Sequence, residues 1–502
     1  MDVTNEQYDL MIRGATVFDG TGAPGARADV GVRADRIAAV QMDLRGSTAY
    51  EFDARGLALA PGFIDVHSHD DFAVLLQPEM PFKVLQGVTT DIVGNCGSGV
   101  IPFEPGLRSF VRLHPDAHPK PWSGLAEYME RVDEARPALN VAVLVGHGSL
   151  RSGAMATETR APSVTELDRM RAWLREGMQA GAVGLSTGLI YEPGRYAATE
   201  EIIELACEME PFGGVYATHM RDESSRLLDA VDEAINIGER AGVTVEISHH
   251  KASRASNWGR TVDSLKLIDG ARARGLDVST DVYPYTASSL TLFAVVQNDA
   301  LGSGASGDTS RIPPDGVLIA SAPRHPAYEG RTIADLMEAW GQTAEQTAKR
   351  LIDEEGSAVF VVTFTMHEQD VRRVLAYPAT MIGSDGIPAV GGKPHPRLWG
   401  CFARVLGHYV RDEGVLDLPT AIHKMTGLPA RKFHLHDRGE LRAGAFADMV
   451  IFDPARIAEV GTYVDPCHPP LGITAVFVGG VEVAHGGAMT GARPGRVVRR
   501  AR

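Results

Sequence analysis

A chain of 502 residues, 44% hydrophobic and 23% charged, exceeds what one hydrophobic core supports and calls for a main domain with a second layer or insertion. Its net charge of -15 argues against a nucleic-acid or anionic-membrane surface, because either needs a basic patch to displace counterions. No stretch is apolar for long enough to span a bilayer, the acidic segment Met1–Gly14 lacks a secretory-signal pattern, and four scattered cysteines fit the reduced thiols of a cytoplasmic protein.

Taken in chain order, Tyr8–Ala60 alternates short β-like runs with turns, at Leu10–Val17, Asp29–Val32, Arg36–Val40 and Leu57–Ala60. A matching set returns only near the other end, at Asp448–Phe452, Thr474–Val478 and Val481–Ala484. Neither set closes a core alone, which predicts one small β-sandwich domain built from residues 1–60 and 445–502. Between them, over residues 61–444, apolar and β-branched runs alternate with helix-compatible segments such as Thr165–Ala180, Ala198–Glu210, Glu223–Ala241 and Val262–Arg274. Eight runs qualify as strands: Phe63–Val66, Thr89–Val93, Val141–Val145, Val183–Leu185, Val215–Ala217, Thr244–Ile247, Val278–Asp281 and Met381–Gly383. An α/β fold with a (β/α)8 TIM-type barrel is the leading architecture, with a doubly wound open sheet as runner-up. The connection between the seventh and eighth strands is the longest, and its Gly/Ser-rich, Pro-interrupted and then helical pattern predicts an inserted subdomain over about 290–356.

In such a barrel, functional groups gather at the C-terminal ends of the strands. The first strand follows the Pro61-Gly62 breaker and runs into His67 and His69, whose spacing on an extended segment turns both imidazoles the same way. Strand two is followed by Asn95-Cys96-Gly97, strand five by Thr218-His219-Met220-Arg221, strand six by Ser248-His249-His250-Lys251 and strand eight by Ser384-Asp385-Gly386. Five of eight strand ends therefore carry imidazole, thiolate or carboxylate, the ligand types of zinc, and a metal centre at the barrel mouth is the reading that follows.

These residues resemble the amidohydrolase superfamily and, within it, the N-acyl-D-amino-acid deacylase branch. The resemblance covers nearly the whole chain, through Pro61–Asp71, Gly94–Gly97, Gly184–Leu189, Thr218–Arg221, Ser248–Lys251, Tyr283–Ala287 and Gly383–Gly386. Hydantoinase and dihydroorotase relatives place a carboxylated lysine at the end of strand four, where this chain has Ser186-Thr187-Gly188. The deacylase branch uses a strand-two cysteine, and Cys96 fills that position. The resemblance implies zinc-dependent hydrolysis of N-acyl-D-amino acids, with Cys96, His219 and His249 as a tight zinc site and His67 and His69 lining a second, weaker one. A cyclic-amide hydrolase of the hydantoinase type is the alternative.

Asp385 is then expected to act as general base towards a zinc-activated water and as general acid towards the leaving amine. Lys251, Tyr191 and Tyr283 match residues that grip the substrate carboxylate in this branch, and Arg397 and Ser288 are further candidates. Relatives that accept an acyl-D-glutamate carry an arginine shortly after the Tyr283-Pro284-Tyr285 element. Here Ser288–Val296 contains none, and Leu292, Phe293 and Val295 either favour a neutral side chain or pack the insertion. His147, after strand three, either helps bind the amide oxygen or fixes local structure. Asp65, Asp70 and Asp71 either orient ligand imidazoles or cap the next helix. Gly391 and Gly392 suggest a mobile loop after Asp385.

Overall fold

The computed structural model describes residues 6–110, 118–304, 307–388 and 391–500. The first five residues of the acidic opening segment, two of the loop after Asp385 and the last two of the tail lie outside them. Five strands open the chain: β1 (Gln7–Val17), β2 (Ala26–Arg33), β3 (Arg36–Gln41), β4 (Ser47–Asp53) and β5 (Ala58–Pro61). Seven barrel strands follow: β6 (Phe63–Asp65), β7 (Val88–Val93), β8 (Asn140–Gly146), β9 (Gly184–Gly188), β10 (Val215–His219), β11 (Thr244–Ile247) and β12 (Val278–Val282). The insertion holds β13 (Ala287–Thr291), β14 (Val317–Ser321) and β15 (Phe360–Phe364), and β16 (Thr380–Ile382) completes the barrel. The chain returns through β17 (Met449–Phe452), β18 (Ile473–Val478), β19 (Val481–His485) and β20 (Ala488–Met489).

The eight barrel strands run parallel in the order β16-β12-β11-β10-β9-β8-β7-β6. Backbone bonds close the seam between first and last: Asp385 N donates to His67 O at 2.7 Å and His69 N to Gly386 O at 3.2 Å. This is the TIM-type barrel, and the open-sheet alternative falls. Strands such as β8, buried at every residue, are continuous apolar runs because helices cover the outer face while barrel-filling side chains cover the inner one. The helix predicted over Thr165–Ala180 begins one residue earlier, at Val164, because the Ser163 hydroxyl caps Glu166 N while the Glu166 side chain returns to the Ser163 N–H. The predicted helix Glu223–Ala241 starts later, at Leu227. Asp222 is the reason, since its carboxylate accepts from Ser224 N at 2.5 Å and Ser224 Oγ at 2.8 Å, a side-chain turn that keeps Glu223 out of the helix.

The two termini share one nine-stranded sheet, joined where β5 pairs antiparallel with β17. The first half of β1 pairs with β4 and its end with β5, so the sheet folds over itself at this strand. Leu10, Ile12 and Val30 from one half meet Met449, Ile451 and Phe477 from the other in a common core, and Phe52 stands edge-on to Phe477 at 6.1 Å. The insertion is broader than its sequence pattern suggested: β13, β15 and β14 form a sheet in that order, bracketing the helices Leu292–Gln297, Ile333–Trp340 and Ala344–Glu355 around a core of their own. Lys393 N donates to Ala320 O at 2.6 Å, tying the loop after Asp385 to this sheet. Among the described residues no helix is long and apolar enough to cross a membrane.

The tail runs along β8: Val141 N donates to Arg496 O at 3.0 Å, Val498 N to Val141 O at 2.7 Å, and Val497 N to the Asp133 carboxylate at 2.7 Å. Val497 and Val498 are buried. A chain ending at Gly495 should lose about 3–6 kcal/mol of stability, the value of two buried valines, visible as a lower thermal midpoint; an unchanged midpoint would show the tail to be dispensable.

Candidate active site and metal centre

Five predicted ligands and Asp385 converge at the C-terminal mouth of the barrel. Cys96 Sγ is the hub, 3.2 Å from His67 Nε2, 3.5 Å from His219 Nδ1 and 3.5 Å from His249 Nε2. His249 Nε2 and His219 Nδ1 lie 2.9 Å apart. On the other side, Asp385 Oδ1 is 3.0 Å from His69 Nε2 and 3.5 Å from His67 Nε2. Two overlapping sets result, Cys96 with His219 and His249, and Cys96 with His67, His69 and Asp385, each with its ligand atoms within 4.8 Å of one another. A thiolate with two imidazole nitrogens suits zinc and leaves room for a further ligand.

Cys96, His249 and Asp385 all have positive φ, at 53°, 35° and 49°, a region costly for residues other than glycine. Strain of about 1–3 kcal/mol at each position is tolerated only where the surrounding fold imposes it. Here the loops after three strands must turn sharply to aim three side chains at one point. Strand four supplies close support and not a ligand: a Cβ at Gly188 would lie 2.1 Å from the Cys96 carbonyl oxygen, and Ser186 Oγ accepts from Gly97 N at 3.0 Å. The Ser186-Thr187-Gly188 end therefore holds the Cys96 loop.

Charge is balanced within the cluster. Burial pushes the Cys96 thiol up, but His67, His249 and His219 pull it well below its ordinary value, which favours thiolate, the form that binds a dication. Burial likewise raises the Asp385 carboxyl, and Arg397, His67 and His69 outweigh it and hold it well below the usual carboxylate range. His69 is raised to about 9, because Asp385 and Cys96 outweigh the burial that works against its charge.

The carboxylates that orient the imidazoles are not the expected ones. Asp281, on β12, accepts from His67 Nδ1 at 2.9 Å and from His249 N at 2.9 Å. Glu223 Oε1 lies 2.9 Å from His249 Nδ1. Asp65 instead accepts from the backbones of His67 at 3.2 Å and Ser384 at 2.8 Å, and pairs with the fully buried Lys83 at 2.5 Å. Lys83 also reaches Asp70 at 3.2 Å and Ser384 Oγ at 2.8 Å. This buried group braces both ends of the barrel seam. Sequence reading passed over Glu223 and Asp281, although an aspartate inside the apolar run Val278–Val282 was a visible signal.

Of the substrate-side candidates, the structure gathers five. Arg397 is 1% exposed, pairs with Asp385 Oδ2 at 2.9 Å and stacks on Tyr283 at 4.4 Å. Its Nε and Nη1 have no hydrogen-bond partner among the described residues. Lys251 Nζ lies 5.5 Å from the Tyr283 ring centre, Tyr283 donates to Ser288 Oγ at 3.1 Å, and Tyr191 stands edge-on to His219 at 4.9 Å. His147 is held elsewhere: its Nε2 meets Glu201 at 2.9 Å, and Arg151 grips the same carboxylate at 2.5 Å. His147 Nδ1 has no hydrogen-bond partner among the described residues.

Residues 51–484 match the sequence profile of the amidohydrolase family. The chain belongs to this family. Among family relatives, D-aminoacylase of Alcaligenes xylosoxydans xylosoxydans is 41% identical over 99% of this chain and 98% of its own. N-acyl-D-glutamate deacylase of the same organism is 40% identical over 99% and 97%. The crystal structure of N-acyl-D-glutamate deacylase from Bordetella bronchiseptica, complexed with zinc and a phosphonate mimic of the tetrahedral intermediate, superposes with a TM-score of 0.89 at 38% identity, covering 98% of this chain and 100% of that one. L-hydantoinase from Arthrobacter aurescens, at 16% identity and a TM-score of 0.59, shares the amidohydrolase fold alone.

Proposed function

We propose that this protein hydrolyses the amide bond of N-acyl-D-amino acids with neutral, preferably hydrophobic side chains, releasing a carboxylate and a free D-amino acid. The observation that carries the reading is a thiolate–histidine metal set facing a buried Arg397 that pairs with Asp385 through Nη2 and whose Nε and Nη1 lack hydrogen-bond partners among the described residues. Unpaired buried donors are costly, and a substrate carboxylate satisfies them. Cys96, His219 and His249 would hold the tight zinc ion, and His67 and His69, with Cys96 and Asp385, a second, weaker one. Zinc in the tight set supplies Lewis acidity, which polarises an amide carbonyl and brings water ionisation near pH 7.

Asp385, held ionised, accepts a proton at Oδ1 and returns it to the leaving amine. Arg397, Lys251 and Tyr283 bind and orient the substrate carboxylate. Stereochemical preference is supported by the deacylase relatives. For the side chain, a small cleft beside Arg397 is lined by Ser289, Ala320, Ser321, Phe360 and Ile387, and Ser288–Val296 brings no second cation. Free cysteines throughout fit a cytoplasmic location.

Purified enzyme with added zinc should cleave N-acetyl-D-methionine and leave N-acetyl-L-methionine intact. Hydrolysis of dihydrouracil with none of the D-substrate would select the hydantoinase reading instead. Lys251→Met should raise KM by about tenfold or more, the worth of one charged hydrogen bond, whereas Arg274→Met, exposed on a distant helix end, should leave it unchanged. Equal effects would remove Lys251 from the substrate site.

A further inference from the structure

Glu223 stands behind both histidines of the Cys96 set, and we propose that it selects the metal-binding tautomer of His249 against the competing donor Lys251. The inference rests on the reading of Cys96, His219 and His249 as the tight metal site. His249 faces that site with Nε2, 3.5 Å from Cys96 Sγ. To offer a lone pair there, a neutral imidazole must carry its proton on Nδ1. Two groups compete for that nitrogen: Glu223 Oε1 at 2.9 Å and Lys251 Nζ at 2.7 Å.

Their chemistry is opposite. An ammonium has three N–H groups and no acceptor, so Lys251 can satisfy Nδ1 only when Nδ1 is bare. That choice moves the proton to Nε2 and points an N–H at the metal position. A carboxylate accepts only, so Glu223 enforces the other tautomer. The same Oε1 takes Lys251 at 2.6 Å, giving the ammonium an acceptor that is not the imidazole. Glu223 Oε2 lies 3.9 Å from His219 Nε2, which has no hydrogen-bond partner among the described residues. One side chain thus backs both imidazoles, and it reaches them because the Asp222 turn holds it outside the following helix. Outer carboxylates of this kind are worth about 10–100-fold in metal affinity.

Zinc affinity, measured by chelator competition on the full chain, tests the proposal without relying on turnover. Glu223→Ala should weaken zinc binding by about 10–100-fold. Glu223→Gln removes the same charge but keeps an amide oxygen that accepts from Nδ1–H, so it should retain most of the affinity. Lys251→Met should tighten zinc more in the Glu223→Ala background than in wild type, because only there is the lysine free to donate to Nδ1. Wild-type affinity in Glu223→Ala, equal weakness of the Gln and Ala variants, or equal effects of Lys251→Met in both backgrounds would each overturn the proposal. If Glu223→Ala does not fold, Lys251→Met alone decides: it should bind zinc at least as tightly as wild type, and weaker binding overturns the competition. A wild-type protein that binds no zinc removes the metal reading itself, a distinct result.

Discussion

Asp385→Asn should hold the tight zinc ion of Cys96, His219 and His249 as the wild type does and lose about 10²–10⁴-fold in kcat, the usual worth of a positioned general base. Asparagine is the substitution of choice because residue 385 has φ at 49°, a conformation asparagine tolerates better than alanine. The amide keeps the shape of the carboxylate beside His69 and Arg397 but cannot take up a proton from water. Arg397, 2.9 Å from Oδ2 in the native chain, loses an ionic partner and remains available to substrate, so KM should change far less than kcat. Full activity in this variant would sink the assignment. Loss of the tight zinc ion together with activity would make Asp385 a ligand of that ion before a base.

Cys96→Ala should cost more zinc affinity than the 10–100-fold expected of an outer partner, because Sγ belongs to both ligand sets. Serine should not rescue it, since an alcohol does not ionise as a thiol does even among His67, His219 and His249. Cys207, exposed and far along the chain, gives the control: Cys207→Ser should bind zinc and turn over substrate normally. Metal content by elemental analysis, followed by zinc titration of activity, separates loss of metal from loss of fold. A Cys96→Ala protein that holds zinc stoichiometrically at low metal concentration would transfer the hub role to the histidines.

The barrel was legible because parallel strands buried on both faces leave continuous apolar runs, and all eight runs read from the sequence became strands. The convergence of the candidate ligands followed, since strand ends in a barrel share one rim. The insertion was read less well. Val317–Ser321 and Phe360–Phe364 are as β-like as any barrel strand, yet apolar character says that a segment is buried and not which sheet it joins. Phe360–Phe364 pairs with Val317–Ser321 on one side and with the polar Ala287–Thr291 on the other, and that partnership is decided by their shared core.

The sequence by itself determined the set of chemical groups at the mouth and the rim on which they sit, because covalent order and the two-residue alternation of a strand suffice for both. Only the tertiary structure decided which carboxylate serves which imidazole. Asp281 reaches His67 from two strands away across the closed seam, and Glu223 reaches His249 from the loop after a neighbouring strand. Hydrogen bonds select partners by distances of about 3 Å in space, and those distances exist only once the barrel has closed.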